Sequence, residues 1–222
     1  MNQSQRRSKL LHARLYGIVD FGYVSDADVF TVTRQLLAGG ADVIQLRAKA
    51  VEIERIIRAA EKIVPLCKAA WIPFVLNDFP DLAVELGADG VHIGQDDGVI
   101  SEVRRLVGEQ MLIGRSTHSL DQARQALAEG ADYIGFGPLF PTPTKAGRPS
   151  IGLRDIAEME KDVGSQIAAF CIGGINRENL PHVLSAGGRR CVIVSKLLTA
   201  KDVAKATADA REAIVSGGCG ER

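Results

Sequence analysis

Gly40-Ala41-Asp42-Val43-Ile44 is a phrase that the chain repeats. It returns as Gly87-Ala88-Asp89-Gly90-Val91 and as Gly130-Ala131-Asp132-Tyr133-Ile134, with a weaker echo in Gly187-Gly188-Arg189-Arg190-Cys191-Val192. Each copy follows a stretch with helical apolar spacing and precedes a short β-prone run. Glycine just past the last helical turn supplies the left-handed residue that closes a helix. Each phrase therefore marks a passage from helix into strand. The first three copies lie 47 and 43 residues apart. One strand–helix unit with its loops takes roughly 25 residues, so each interval holds two units, and a further strand lies between neighbouring copies.

Working outward, short β-prone runs occur at 15–20, 42–47, 73–78, 90–94, 112–116, 132–137, 169–174 and 191–195. Helical patterns alternate with them at 26–39, 51–70, 81–86, 100–107, 120–129, 153–163, 177–186 and 201–215. Several runs are apolar on both faces, as strands covered by helices on both sides must be. Eight such units in 222 residues predict an α/β protein with a single (β/α)8 TIM barrel, small for that fold. An open doubly wound sheet would need a glycine fingerprint after its first strand, and Asp20-Phe21-Gly22-Tyr23 is not GxGxxG. The expected organisation is a polar N-terminal tail at 1–12, a catalytic barrel at 13–216 and a flexible C-terminal tail at 217–222.

Composition narrows the function. Lys+Arg and Asp+Glu are both 27, and no basic block stands out, which argues against nucleic acid as a partner. No run approaches the roughly 18 apolar residues of a membrane span. Residues 1–9 are polar and lack the apolar stretch of a signal peptide, so the chain reads as cytoplasmic. Cys67, Cys171, Cys191 and Cys219 have no CxxC spacing, which disfavours a zinc site or a disulfide framework. Cys171 and Cys191 sit in apolar runs and read as buried small hydrophobes.

In this barrel class, chemistry gathers where strands end. The second strand ends in Gln45, Arg47 and Lys49, whose alternate spacing predicts one face. The third ends in Asn77 and Asp78. The fourth leads to Gln95, Asp96 and Asp97, the fifth to Ser116 and His118. The sixth opens into Thr142, Thr144 and Lys145, within the longest and most proline-rich loop. The seventh ends in Gly173-Gly174-Ile175-Asn176 at an expected helix start, and the eighth in Ser195. Arg47, Lys49 and Lys145 are cations, and the Gly-Gly turn before a helix is a ready anion site. Two carboxylates among cations, Asp78 and Asp97, suit Mg2+ shared with substrate phosphates. Together these favour a phosphorylated or diphosphorylated substrate. Taken singly, Asp78 also suits a helix cap, Gly173-Gly174 a simple turn and His92 a hydrogen-bonded core residue. His118 has no decided role.

The motifs Gln45-Leu46-Arg47-Ala48-Lys49, Leu76-Asn77-Asp78, Gly90-Val91-His92-Ile93-Gly94-Gln95-Asp96-Asp97, Gly114-Arg115-Ser116-Thr117-His118, residues 135–145 and Gly173-Gly174-Ile175 resemble the thiamine phosphate synthase (thiamine-phosphate pyrophosphorylase) family, in its order and over about residues 15–200. The resemblance implies a transferase of thiamine biosynthesis. It would join a hydroxymethylpyrimidine diphosphate to a hydroxyethylthiazole phosphate, giving thiamine phosphate and pyrophosphate by Mg2+-assisted dissociative substitution. It implies that Tyr16, Gln45, Arg47, Lys49, Asn77, Ser116 and Lys145 serve the pyrimidine diphosphate, with Arg47, Lys49, Ser116 and Lys145 catalytic. It further implies Asp78 and Asp97 as metal ligands, and Thr142, Thr144, Gly174, Val194 and Ser195 at the thiazole phosphate. A homo-oligomer is compatible with all of this.

Two rival readings are a thiazole tautomerase on the same barrel and a catalytically silent binder of thiazole or thiamine phosphates. The tautomerase carries a histidine where this chain has Pro138. The binder would have no use for paired metal carboxylates. Arg189-Arg190, Lys196 and a short loop at 145–152 depart from the family pattern and keep the silent binder in view.

Overall fold

The computed structural model describes residues 1–142 and 149–217. Thr144, Lys145, Cys219 and positions 218–222 of the expected C-terminal tail lie outside the described residues. Eight parallel strands close into a barrel in sequence order: β1 (Leu15–Asp20), β2 (Val43–Arg47), β3 (Phe74–Asn77), β4 (Gly90–Ile93), β5 (Leu112–Thr117), β6 (Tyr133–Phe136), β7 (Ala168–Ile172) and β8 (Cys191–Val192). β8 closes the ring against β1, pairing Leu15 with Cys191 and Tyr16 with Val192. The single α/β barrel expected from the repeats is the fold observed.

Alternation along each strand divides the apolar residues into two sets. Inward positions such as Tyr16, Ile18, Val43, Val75, Leu112, Tyr133, Phe170 and Val192 fill the barrel. Outward positions such as Val19, Ile44, Leu46, Leu76, Val91, Ile113, Ile134 and Cys171 pack under the helices. Fully burying one large aliphatic or aromatic side chain stabilises by about 1.5–3 kcal/mol. Covering helices include α2 (Val29–Ala38), which presents Val29, Val32 and Leu36, and α3 (Ile53–Ala69), which presents Ile56, Ala60 and Ile63. The others are α4 (Pro80–Glu85), α5 (Ile100–Val107), α6 (Leu120–Ala128), α7 (Ile156–Met159), α8 (Leu180–Ser185) and α10 (Val203–Gly217).

The repeated aspartate has a structural task. Asp42, Asp89 and Asp132 stand at the feet of β2, β4 and β6. Asp42 Oδ2 accepts the amides of Arg14 and Leu15 at 2.8 and 3.0 Å. Asp89 Oδ2 accepts Phe74 N at 3.1 Å, and Asp132 Oδ2 accepts Ile113 N at 2.8 Å. Each carboxylate thus staples the foot of the preceding strand. An arginine also pairs with each: Arg211 with Asp42, Arg6 with Asp89, and Arg7 with Asp132. Gly40, with φ 86°, turns the chain from α2 toward this foot. In the weak fourth copy, Arg189-Arg190 replaces the aspartate, and the carboxylate comes instead from Glu160. Glu160 Oε1 accepts Arg189 N at 3.2 Å, while Arg190 Nη1 lies 3.6 Å from Oε2. Glu160 opens a π-helical turn (Glu160–Gly164), and Gly164 makes room for it: a Cβ there would stand 2.2 Å from Oε2.

Residues 3–12 are not a tail. They form α1 (Gln3–His12), whose Asn2 and Gln5 make a capping box. Arg6 and Arg7 anchor the helix on Asp89 and Asp132, and Leu10 is buried against the inner barrel cluster. Three further boundaries differ from the sequence reading. Ser195 does not end a strand but begins a short helix, α9 (Ser195–Leu198). α8 begins at Leu180, so Gly173-Gly174 does not lead directly into a helix. Lys49 lies beyond the end of β2, before Ala50 at φ 54°.

Candidate active site

A cleft opens at the C-terminal ends of the strands. Tyr16, Gln45, Arg47, Asn77, Ser116, Thr142, Gly174, Val194 and Ser195 all line it, together with His92, His118 and Pro138.

On one side stands a cation held by the barrel itself. Asp20 and Arg47 are register partners on β1 and β2, so their side chains project from the same face. Asp20 Oδ2 accepts Arg47 Nη1 at 2.7 Å, and Oδ1 accepts Gly22 N at 2.8 Å. The carboxylate is buried, which strengthens the charge-assisted pair and fixes the guanidinium's place. Asp20 was missed by the sequence reading, although it ends β1 on the same face as Tyr16.

Next along the rim are two carboxylates and a lysine. Lys49 Nζ lies 2.6 Å from Asp78 Oδ2. Asp97 Oδ2 accepts Gly94 N at 2.8 Å, and the Asp78 and Asp97 carboxyl groups are near enough for each to influence the other's titration. Burial pushes the Asp78 carboxyl up; Lys49 opposes this and the neighbouring Asp97 reinforces it. Burial acts on Asp97 the same way, but the Gly94 amide, Asp78, Lys49 and Arg115 together hold it below its ordinary value. Arg115 steadies this loop by donating to the carbonyls of Gly98 at 2.7 Å and Gln95 at 3.2 Å. Asp78 is not a helix cap: it sits at φ 61°, and the cap of α4 is Phe79, without a side-chain bond. Adjacent hard oxygens suit a divalent cation, and Lys49 stands against one of them. Among the described residues, no group of three or more His, Cys, Asp or Glu side chains is arranged to hold a metal, so two carboxylates are what the chain itself offers.

The floor of the cleft is polar and continuous. Gln45 Nε2 donates to Tyr16 Oη at 3.0 Å, and Tyr16 Oη meets Tyr133 Oη at 3.0 Å. Tyr133 Oη lies 3.2 Å from His92 Nδ1, and His92 Nε2 lies 3.0 Å from Ser116 Oγ. His92 is hydrogen-bonded as expected, but it faces the cleft rather than being sealed in the core. His118 also faces the cleft, with Nδ1 against the carbonyl of Gly137.

The far side is built from backbone. Leu139 N and Phe140 N donate to the carbonyls of Ile172 and Gly173 at 2.9 and 3.0 Å. A Cβ on Gly173, itself at φ 99°, would lie 2.4 Å from Pro138 Cα. Only glycine lets these two strand exits touch, so the corner beside Gly174, Val194 and Ser195 presents main chain to the cleft. Two of the departures from the family pattern, Arg190 and Lys196, lie elsewhere; residues 145–148 of the third are outside the described residues. Arg190 is buried at the opposite end of the barrel, where Nη2 donates to Leu11 O at 3.0 Å. Lys196 lines a separate groove with residues of α8 and α10. Neither touches the cleft.

The model of the family described as thiamine monophosphate synthase matches residues 15–197. A thiamine-phosphate synthase of Thermus thermophilus is 45% identical over 180 residues, covering 81% of this chain and 86% of that one. One from Shouchella clausii is 38% identical over 195 residues, covering 87% and 92%. A solved thiamine phosphate pyrophosphorylase from Pyrococcus furiosus superposes with a TM-score of 0.83 at 31% identity, covering 95% of this chain and 98% of that one.

Proposed function

The chain belongs to the thiamine monophosphate synthase family, and from that premise we propose how its barrel mouth carries out the synthesis. The chain is a transferase that makes thiamine phosphate. In the reaction read here, the thiazole nitrogen bonds to the exocyclic methylene of the pyrimidine. The methylene's bond to oxygen breaks, and its electron pair leaves with pyrophosphate. The attacking nitrogen uses its own lone pair, so no protein base has to remove a proton.

The observation that carries this reading is Arg47 and Asn77 in the cleft lining, with Asp78 following Asn77 and grouped there with Lys49 and Asp97. Asp78 and Asp97 would hold Mg2+, with Lys49 now standing against Asp78 where the cation's charge would fall. Bound there, Mg2+ would neutralise charge on the diphosphate. Arg47, placed by Asp20, together with Lys49 and Lys145 would receive the diphosphate's developing negative charge. Ser116 would donate to the same group. Gln45 and Asn77 would hold the pyrimidine, beside Tyr16. Opposite, Thr142, Thr144, Gly174, Val194 and Ser195 would seat the thiazole phosphate on main-chain amides and hydroxyls. Ile18, Phe170 and Ile172 add an apolar wall that limits water near the electron-poor methylene.

The direct assay mixes purified protein, both substrates and Mg2+, then oxidises the product to fluorescent thiochrome. Product that disappears with EDTA and returns with Mg2+ supports the reading. Product that persists unchanged in EDTA removes the metal from it. Near-normal turnover in Arg47→Ala removes the proposed cation role.

A further inference from the structure

Arg115 carries its charge on the covered face of the barrel. Side chains alternate along β5, so Ser116 lines the cleft while Ile113 and Arg115 face outward, under the helices. Arg115 is only 8% exposed. A guanidinium buried there is costly unless its hydrogens find acceptors. It finds them in the loop that leaves β4. Ile93, the last residue of β4, is the register partner of Arg115, so the guanidinium reaches past the end of that strand. Nη1 donates to Gly98 O at 2.7 Å, and Nη2 donates to Gln95 O at 3.2 Å. The loop returns a bond, since Gln95 Nε2 donates to Ser116 O at 2.5 Å. Each of these acceptors is a main-chain carbonyl, so the direction of every bond in the clasp is fixed.

Asp97 stands between the two carbonyls that Arg115 holds. Its own residue is exposed, so burial does not place it and hydrogen bonds must. Within the loop, Asp97 Oδ2 accepts Gly94 N at 2.8 Å. Glycine is needed there, because a Cβ on Gly94 would lie 2.7 Å from that oxygen. This inner turn sets Asp97 relative to Gly94. The outer clasp sets the whole turn relative to β5.

We propose that Arg115 is a positioning residue: by bracketing Asp97 between the carbonyls of Gln95 and Gly98, it holds that carboxylate beside Asp78, where one divalent cation can meet both. This rests on the reading of Asp78 and Asp97 as the Mg2+ ligands given above. It extends the support of the metal to a side chain on the face of β5 turned away from the cleft.

The test follows Mn2+, added alone, by electron paramagnetic resonance in the unsubstituted chain, Arg115→Met, Arg115→Lys, Asp97→Asn and the Arg115→Met/Asp97→Asn double variant. Removing a group that orients a metal ligand should weaken Mn2+ binding in Arg115→Met by about tenfold or more. The double variant should bind no more weakly than Asp97→Asn. Turnover that Arg115→Met loses at low Mg2+ should return as Mg2+ is raised, because mass action refills a weakened site. A folded Arg115→Met chain with a lowered urea midpoint but full Mn2+ affinity, or losses that multiply in the double variant, would overturn the proposal. Should Arg115→Met not fold, Arg115→Lys decides alone. Lysine keeps the charge but has no planar fork to span two carbonyls, so its Mn2+ affinity should fall; full affinity overturns the bracketing. Mn2+ binding that is equal in Asp97→Asn and the unsubstituted chain would instead remove the underlying metal reading.

Discussion

Asp20 grips Arg47 across two adjacent strands at 2.7 Å, and its other oxygen is occupied by the Gly22 amide. The guanidinium is therefore placed by the barrel wall before any substrate arrives. Asp20→Asn keeps the shape and removes the charge. A hydrogen bond to a charged group contributes about 1.5–3 kcal/mol, so kcat/KM should fall roughly ten- to hundredfold. Steady-state kinetics beside an unchanged circular-dichroism spectrum check this; an unaltered kcat/KM would show that Arg47 needs no such anchor.

The two rim carboxylates should govern metal affinity separately from folding. Asp97→Asn is expected to raise the Mg2+ concentration for half-maximal activity by about tenfold or more. Mn2+ binding followed by electron paramagnetic resonance should weaken in parallel. Equal Mn2+ affinity in the variant and the unsubstituted chain would place the metal elsewhere.

The N-terminal helix should behave as part of the core. Leu10→Ala is expected to cost about 2–5 kcal/mol, the range for truncating a buried leucine, read as a lowered urea midpoint. A tail would show no change. The sequence reading missed this helix because its anchors are remote: Arg6 and Arg7 find Asp89 and Asp132 more than eighty residues away. No local periodicity records such partners. By contrast, the repeated Gly-Ala-Asp made the fold legible, since it closes a helix and staples a strand within three residues. The rim was legible for a similar reason: residues 45–49, 77–78 and 97 stand at strand exits. Asp20 obeyed that rule and was overlooked. Tyr133 could not have been found by it, because it reaches the floor from the inner end of its strand.

Glu160 offers a pH test. Burial raises its carboxyl pKa, opposed by Arg190, Arg189 and Arg14; Cys171 and Cys191 lie beside the same cluster. A raised carboxyl holds its proton more tightly in the folded chain than in the unfolded one. Its contribution is therefore full below the unfolded value of about 4.3 and is lost as pH rises through the folded value. The unsubstituted chain should lose stability relative to Glu160→Gln as pH rises above the unfolded value, seen in urea midpoints. A constant difference would contradict this. Glu160→Ala should cost about 1–3 kcal/mol, because the Arg189 amide loses its acceptor.

The unequal stapling of the strand feet has a mechanical meaning. Three strand pairs are clasped by an aspartate that is itself neutralised by arginine. The fourth is held by a 3.6 Å ion pair whose Glu160 Oε2 and Arg190 Nε and Nη1 make no hydrogen bond among the described residues. β8 is also only two residues long. A closed sheet has no edge, yet it has a seam where opening costs least, and here the seam runs along β8. Amide hydrogens there should exchange with solvent before those of β2, β4 and β6. Val194 and Ser195 follow directly after β8, so the part of the cylinder that breathes first is the part bordering the backbone-lined corner of the cleft.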